Sequence, residues 1–197
     1  MKNEIVFVTS NKGKIAYATS LIENTKVIPF EADLIEPRSD DIKVIAKEKV
    51  RQAYNITSKP CIAMDIGFFI EELKGFPRAY VNPTLETIGI EGILKLMDGV
   101  ENRNCEFREC LAYYDGKEYE FFESVGKGKL STEIRGRDQE NKLSDLWYIV
   151  MPEEGTKTLA EFDESDFQKL KELQTDSSLS LFGKWYFEKT HNNLGCK

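Results

Sequence analysis

The ten residues from Ile5 to Lys14 constrain this chain more than any other stretch. Ile5-Val6-Phe7-Val8 is a short apolar run bounded by turn residues, the pattern of a buried β-strand. Thr9-Ser10-Asn11 follows, three small polar residues that can each cap a helix. Beyond Gly13, residues Ile15, Ala18, Thr19 and Ile22 recur at helical spacing. The expected order is strand, polar turn, helix. Such a turn offers free backbone N–H groups and the positive end of a helix dipole to whatever lies beyond the sheet edge. Lys12 and Lys14 add two positive charges. A phosphate is the ligand this arrangement favours, although an ordinary strand–helix connection with surface lysines has the same pattern.

The rest of the chain continues this alternation and then changes character. Lys26–Phe30 reads as a second strand, and residues 31–38, acidic and containing Pro37, as a loop. Asp40-Asp41 opens a helix whose apolar face is Ile42, Ile45, Ala46, Val50 and Ala53, with Lys43, Lys47 and Arg51 on a solvated face. Pro60–Met64 is a third buried strand, ending on Asp65-Ile66-Gly67, and Phe68–Leu73 continues as extended apolar chain. Gly75-Phe76-Pro77 marks a turn. Pro83-Thr84 opens a further helix carrying Ile88, Ile93, Leu94 and Met97. From about Asn104, alternating residues on either side of Asp115-Gly116 predict an antiparallel hairpin. Gly126-Lys127-Gly128-Lys129 opens no helix, so a bulge or strand end is expected rather than a phosphate loop. Residues 135–143 read as a loop and Leu146–Met151 as a strand. Asp163 caps a helix running through Leu173. A last helix places Leu179, Phe182, Trp185 and Tyr186 on one core face. No repeat, linker or clear domain boundary is visible, and the element order indicates a mixed α/β sheet.

Composition removes several functional classes. With 27 basic and 34 acidic residues among 197, the net charge is −7, a poor basis for binding nucleic-acid polymers or anionic membranes. No stretch has the ~20 apolar residues of a membrane span, and no signal peptide is visible. Cys61, Cys105 and Cys110 lie in apolar strand-like contexts and Cys196 in the tail. Their spacing matches no zinc pattern, so reduced thiols and a cytoplasmic protein are expected. His191 is the one histidine; set in a polar C-terminal stretch, it reads as surface rather than as part of a catalytic triad.

Three groups converge on one sheet edge if the early strands run parallel. Asp65 follows a buried strand directly, Lys14 follows another, and Glu36 lies in the loop after the second. Ligands of open α/β sheets bind at that edge. A lysine and two carboxylates there suit a triphosphate with Mg²⁺, which takes one or two carboxylates, waters and phosphate oxygens. One carboxylate is also placed to orient or deprotonate a water. Taken singly, Asp65 also fits a turn acid and Glu36 a solvated surface charge.

These residues and their order resemble the inosine triphosphate pyrophosphatase family. Thr9-Ser10-Asn11-Lys12-Gly13-Lys14 matches its opening T-x-N-x-x-K. Leu34-Ile35-Glu36, ahead of Ser39-Asp40-Asp41-Ile42, falls at its glutamate loop. The segment from Lys47 to Ala53 resembles its next helix, Ala63-Met64-Asp65-Ile66-Gly67 stands at its E-D-S-G-L-like motif, and Lys157–Phe162 resembles its late K-T-x-A-E-M segment. The resemblance implies a mixed, curved sheet flanked by helices, with two lobes about a central cleft, in a single domain over 1–197 whose second lobe spans approximately 104–152. It implies hydrolysis of a nucleoside triphosphate to the monophosphate and pyrophosphate with Mg²⁺, in a homodimer. Carried over by position, Asp65 and Lys14 are catalytic, and Glu36 and Asp65 hold the metal. Thr9, Asn11, Lys14, Tyr80 and Lys157 bind the nucleotide. Trp147 or Tyr80 also has the ring to stack on a base.

Met64 stands where the family has an acid, which removes one potential metal or water ligand. The other departures cluster at the base-reading end. Arg78-Ala79-Tyr80-Val81 replaces a glycine-and-serine loop. Leu143–Tyr148 replaces an F-G-Y-D segment, with Asp145 a candidate for its shifted acid. Thr175-Asp176-Ser177 occupies the place of the S-H-R triplet that reads the purine. Loss of those paired polar groups implies a base specificity altered from inosine and xanthosine triphosphates. The alternative is a catalytically inactive nucleotide-binding regulator on the same fold.

Overall fold

The computed structural model describes residues 3–22, 24–139, 142–173 and 176–192. Thr175 and Cys196 lie outside them. In chain order the elements are β1 (Asn3–Val8), α1 (Lys12–Leu21), β2 (Thr25–Phe30), α2 (Ile42–Thr57), β3 (Cys61–Ile70), β4 (Pro77–Arg78), α3 (Val81–Thr87), α4 (Gly89–Leu96), β5 (Asn104–Tyr114), β6 (Tyr119–Leu130), β7 (Val150–Pro152), α5 (Glu164–Leu173) and α6 (Ser178–Asn192). The strands form one sheet in the order β2-β1-β3-β5-β6-β7, with β4 beside β3. β1 is parallel to both β2 and β3, while β3–β4 and β6–β7 are antiparallel. The chain is thus α/β with a mixed sheet, as its strand and helix periodicities indicate. Among the described residues no helix is long and apolar enough to cross a membrane.

The chain divides into two compact units, one of residues 1–65, 109–124 and 176–197, the other of residues 66–108 and 125–175. In the first unit, α1 and α6 cover one face of the sheet. Ile5, Phe7, Ala18, Ile62, Leu111, Tyr113, Leu179, Phe182 and Tyr186 are buried together there, with Met64 and Trp185 against them. Burial of each large side chain contributes about 1.5–3 kcal/mol. The expected aromatic stripe of the last helix is therefore core. Gly183 lets α6 approach α1: a Cβ there would lie 2.9 Å from the Leu21 carbonyl oxygen. On α2 the buried residues are Ile42, Ile45, Ala46, Val50 and Ala53, the face its spacing predicts. Asp41 caps α2, accepting from the Lys43 N–H at 2.8 Å. Lys43, expected on a solvated face, lies over the Phe121 ring and pairs with Glu123.

The second unit has its own core of Phe68, Ile70, Ile93, Met97, Leu130, Leu146 and Ile149. Arg103 ties it together by donating to the carbonyls of Met97, Leu130 and Ser131. Two sequence expectations change here. The helix opened by Pro83 is two helices, broken where Gly89 takes a positive φ of 65°, a conformation glycine adopts without a Cβ clash; Ile88 is left exposed. The strand expected over Leu146–Met151 is a 3₁₀ turn at Asp145–Tyr148 followed by the short β7. Ser144 caps that turn, accepting from the Leu146 N–H, and a capped turn outweighs the strand preference of the apolar run.

Candidate active site

The site is built at the ends of the parallel strands of the first unit. β1 stops at Val8, and the chain turns on Thr9, whose Oγ1 accepts from the Asn11 N–H at 3.1 Å. Asn11 caps α1, its Oδ1 accepting from the Lys14 N–H at 3.1 Å. Of the three candidate caps, Asn11 is thus the one used. The earlier N–H groups of the first turn have no intrahelical acceptor and carry the positive end of the dipole. Lys14 is half-buried. Burial lowers its pKa, against the pull of Glu109 and Asp65 and with the push of Lys49. Among the described residues no carboxylate comes within 4 Å of its ammonium.

Asp65 enters from β3, but not from the end of its strand. β3 runs on to Ile70, so the strand end expected at Asp65-Ile66-Gly67 is corrected. What ends is the pairing with β1, whose last partners are Val8 and Ala63. Asp65 therefore stands just past the carboxyl end of β1, on a strand that continues. Alternation along β3 sends Met64 to the α1–α6 face and Asp65 to the α2 face.

On that face Lys49 of α2 joins the two predicted acids. Its Nζ lies 2.9 Å from Asp65 Oδ1 and 2.6 Å from Glu36 Oε1. Asp65 is 14% exposed and Glu36 58%. Glu36 is held there by its neighbour: the Gln52 side chain donates to the Ile35 carbonyl at 2.7 Å and accepts from the Ile35 N–H at 3.0 Å. Burial raises the Asp65 pKa despite Lys49, and Glu36 pushes the same way. Burial works against the charge of Lys49, but Asp65 and Glu36 prevail and raise its pKa.

Lys49 does not stand out in the sequence, although a signal for it is present. It follows Ile45 by four residues and Ala46 by three, and directly precedes Val50, so it borders the apolar stripe of α2. A lysine drawn into a buried stripe needs a partner.

The donor set fits a hard divalent cation. Two carboxylate oxygens converge on one positive nitrogen, and oxygen ligands suit Mg²⁺ or Mn²⁺. Among the described residues no three acidic, histidine or cysteine side chains gather as a metal cage.

The other residues expected to meet the nucleotide lie in the second unit. Tyr80 is exposed at the start of α3. Lys157 pairs with Asp166 at 2.8 Å. Trp147 packs on Phe167, and Asp145 pairs with Lys142. Elsewhere, Cys105 and Cys110 are buried free thiols whose pKa is pushed up to about 12 by burial, so neither is a ready nucleophile. His191 is exposed and stacks on Phe187.

Comparison with known proteins gives one answer. The model of the Ham1 family matches residues 5–172. The dITP/XTP pyrophosphatase of Saccharolobus solfataricus is 34% identical over 160 residues, 80% of this chain and 81% of the relative. That of Methanothermobacter marburgensis is 34% identical over 187 residues, 94% and 97% of the two chains. Among solved structures, the Ham1 protein of Staphylococcus aureus superposes with a TM-score of 0.79 at 20% identity, covering 95% of this chain and 100% of that one. A HAM1 protein from Coxiella burnetii gives 0.80 at 21% identity, covering 94% and 99%.

Proposed function

The chain belongs to the Ham1 family, and on that premise we propose that it is a nucleoside triphosphate pyrophosphatase, releasing pyrophosphate and a nucleoside monophosphate. The observation that carries this reading is a half-buried Lys14 ammonium with no carboxylate within 4 Å among the described residues, beside the partly buried Glu36–Lys49–Asp65 cluster. The ammonium calls for an anion, and the cluster calls for a cation.

Lys14 and the first N–H groups of α1 hold phosphate oxygens. Glu36 and Asp65 hold Mg²⁺, which would neutralise charge on the phosphates when bound. Asp65, its affinity for a proton raised by burial, accepts the proton of the attacking water. The water oxygen bonds to the α-phosphorus as the bond to the bridging oxygen breaks, and that oxygen leaves on pyrophosphate. Positioning and charge neutralisation do most of the work in such a transfer. Lys49 holds both carboxylates in register before ligands arrive. Thr9 acts through the turn, bonding Asn11. The base preferred differs from that of the dITP/XTP enzymes, because Asp176 and Ser177 stand at the place of the purine-reading triplet. The active form is a cytoplasmic homodimer.

The test is pyrophosphate release with Mg²⁺ from standard, deaminated and modified ribo- and deoxynucleoside triphosphates. Monophosphate and pyrophosphate in equal amounts from at least one of them is the expected result. Orthophosphate alone, or no product from any, overturns the reading.

A further inference from the structure

On the α1–α6 face of the first unit stands a carboxylate that the reaction above does not use. Glu109 of β5 shares that face with Leu111 and Tyr113, next to Met64 of β3 and Ser124 of β6. One of its oxygens, Oε2, accepts from Ser124 Oγ at 3.1 Å and from Ser178 Oγ at 3.0 Å. Ser178 is fully buried at the start of α6. Its N–H donates to Ser124 Oγ at 3.2 Å, and its own Oγ lies 3.4 Å from Met64 Sδ. Two hydroxyls directed at one oxygen fix the carboxylate from two elements and require it as an acceptor. Its other oxygen, Oε1, has no donor among the described residues.

The charges nearby limit what that oxygen can accept. Glu109 is the foremost negative charge acting on Lys14, yet the two stay more than 4 Å apart. A fixed carboxylate repels phosphate, so the phosphates cannot extend towards it. A ligand held by Lys14 that reaches Glu109 does so with an uncharged, donor-bearing part. A preorganised acceptor discriminates strongly, because the wrong ligand leaves it unpaired. We propose that Glu109, anchored by Ser124 and Ser178, is a specificity residue that accepts a hydrogen bond from the nucleoside part of the substrate, either an N–H of the base or the 2′-hydroxyl of the sugar. The proposal rests on the pyrophosphatase reading.

Glu109→Gln keeps the shape and the serine bonds while presenting an amide donor where Oε1 was. The experiment compares kcat/KM of the unaltered enzyme and this variant on substrate pairs: adenosine with inosine triphosphate, guanosine with inosine triphosphate, and each ribonucleotide with its 2′-deoxy form. Calorimetric binding of the matching monophosphates runs beside it. The variant should lose at least about tenfold on the donor-bearing member of one pair and less than about threefold on the other member. Loss within a base pair assigns the donor to the base, and loss within a ribo–deoxy pair assigns it to the sugar. Ser178→Ala, which loosens the anchor, should show the same selectivity to a smaller degree, and carries the test if Glu109→Gln does not fold. An equal loss on every substrate, or none, overturns the proposal. Monophosphate binding without any turnover by the unaltered protein would sink the pyrophosphatase reading while leaving the Glu109 comparison readable.

Discussion

Lys49 and Lys142 hold their partners in nearly the same way. Lys49 lies 2.6 and 2.9 Å from Glu36 and Asp65, and Lys142 lies 2.9 Å from both Asp138 and Asp145. The partners of Lys142 are one turn away in sequence and 80% and 58% exposed. The partners of Lys49 come from a loop and from a strand interior, and Asp65 is 14% exposed. The acids respond oppositely. Lys142 lowers the pKa of Asp138, whereas Asp65 stays raised beside an equally close ammonium because burial dominates. Water screens the first cluster and leaves it a brace for a turn. Water screens the second far less, so burial still governs Asp65.

Removing one acid from each cluster should separate the two most widely. Asp65→Asn should slow pyrophosphate release about a thousandfold, the scale of losing a proton acceptor and charge stabilisation together. Asp138→Asn should leave the rate unchanged, and equal effects would erase the distinction. Next in size, Lys14→Ala should raise KM for the triphosphate by about ten- to a hundredfold, the worth of a charged hydrogen bond to phosphate. Burial lowers the Lys14 pKa, and the ammonium is the form that binds. Binding should therefore hold at neutral pH and weaken as pH rises through a value below the ordinary lysine range. In Lys14→Arg that alkaline limb should disappear from the pH profile of kcat/KM.

Stability sharpens the same contrast. Lys49→Ala leaves Asp65 buried without its partner and should cost about 1–3 kcal/mol in urea unfolding at neutral pH. Glu36, mostly exposed, contributes little of this. The deficit should shrink in acid, where protonated Asp65 no longer needs a counter-charge. Asn11→Ala should cost about 1 kcal/mol through the lost helix cap. Lys142→Ala should leave the unfolding midpoint where it was, since both of its partners are well exposed.

Much of this was legible in the residues. The strand, cap and helix of Ile5–Lys14 follow from local pattern and turn chemistry, as do the buried face of α2 and the Asp163 cap of α5, whose Oδ1 accepts from the Asp166 N–H. The meeting of Glu36 with Asp65 was anticipated only as convergence on an edge. The lysine that joins them was hidden because a stripe is read by its apolar members. The continuity of β3 with the extended stretch expected from Phe68 was missed because Ile66-Gly67 resembles a strand end, while pairing with β4, Phe68 opposite Arg78, keeps the strand extended. Glu109 gave no signal at all. Its importance lies in Ser124 and Ser178, which are far from it in sequence, and such contacts belong to tertiary structure rather than to any motif.

The most direct test of the Lys49 cluster is Mn²⁺ binding, measured by calorimetry in the presence of a nucleoside diphosphate. Three proteins are compared: the unaltered chain, Glu36→Gln with Asp65→Asn, and Asp138→Asn with Asp145→Asn. The ion should bind the first and third alike and be lost from the second. Undiminished Mn²⁺ binding in the second protein would contradict this.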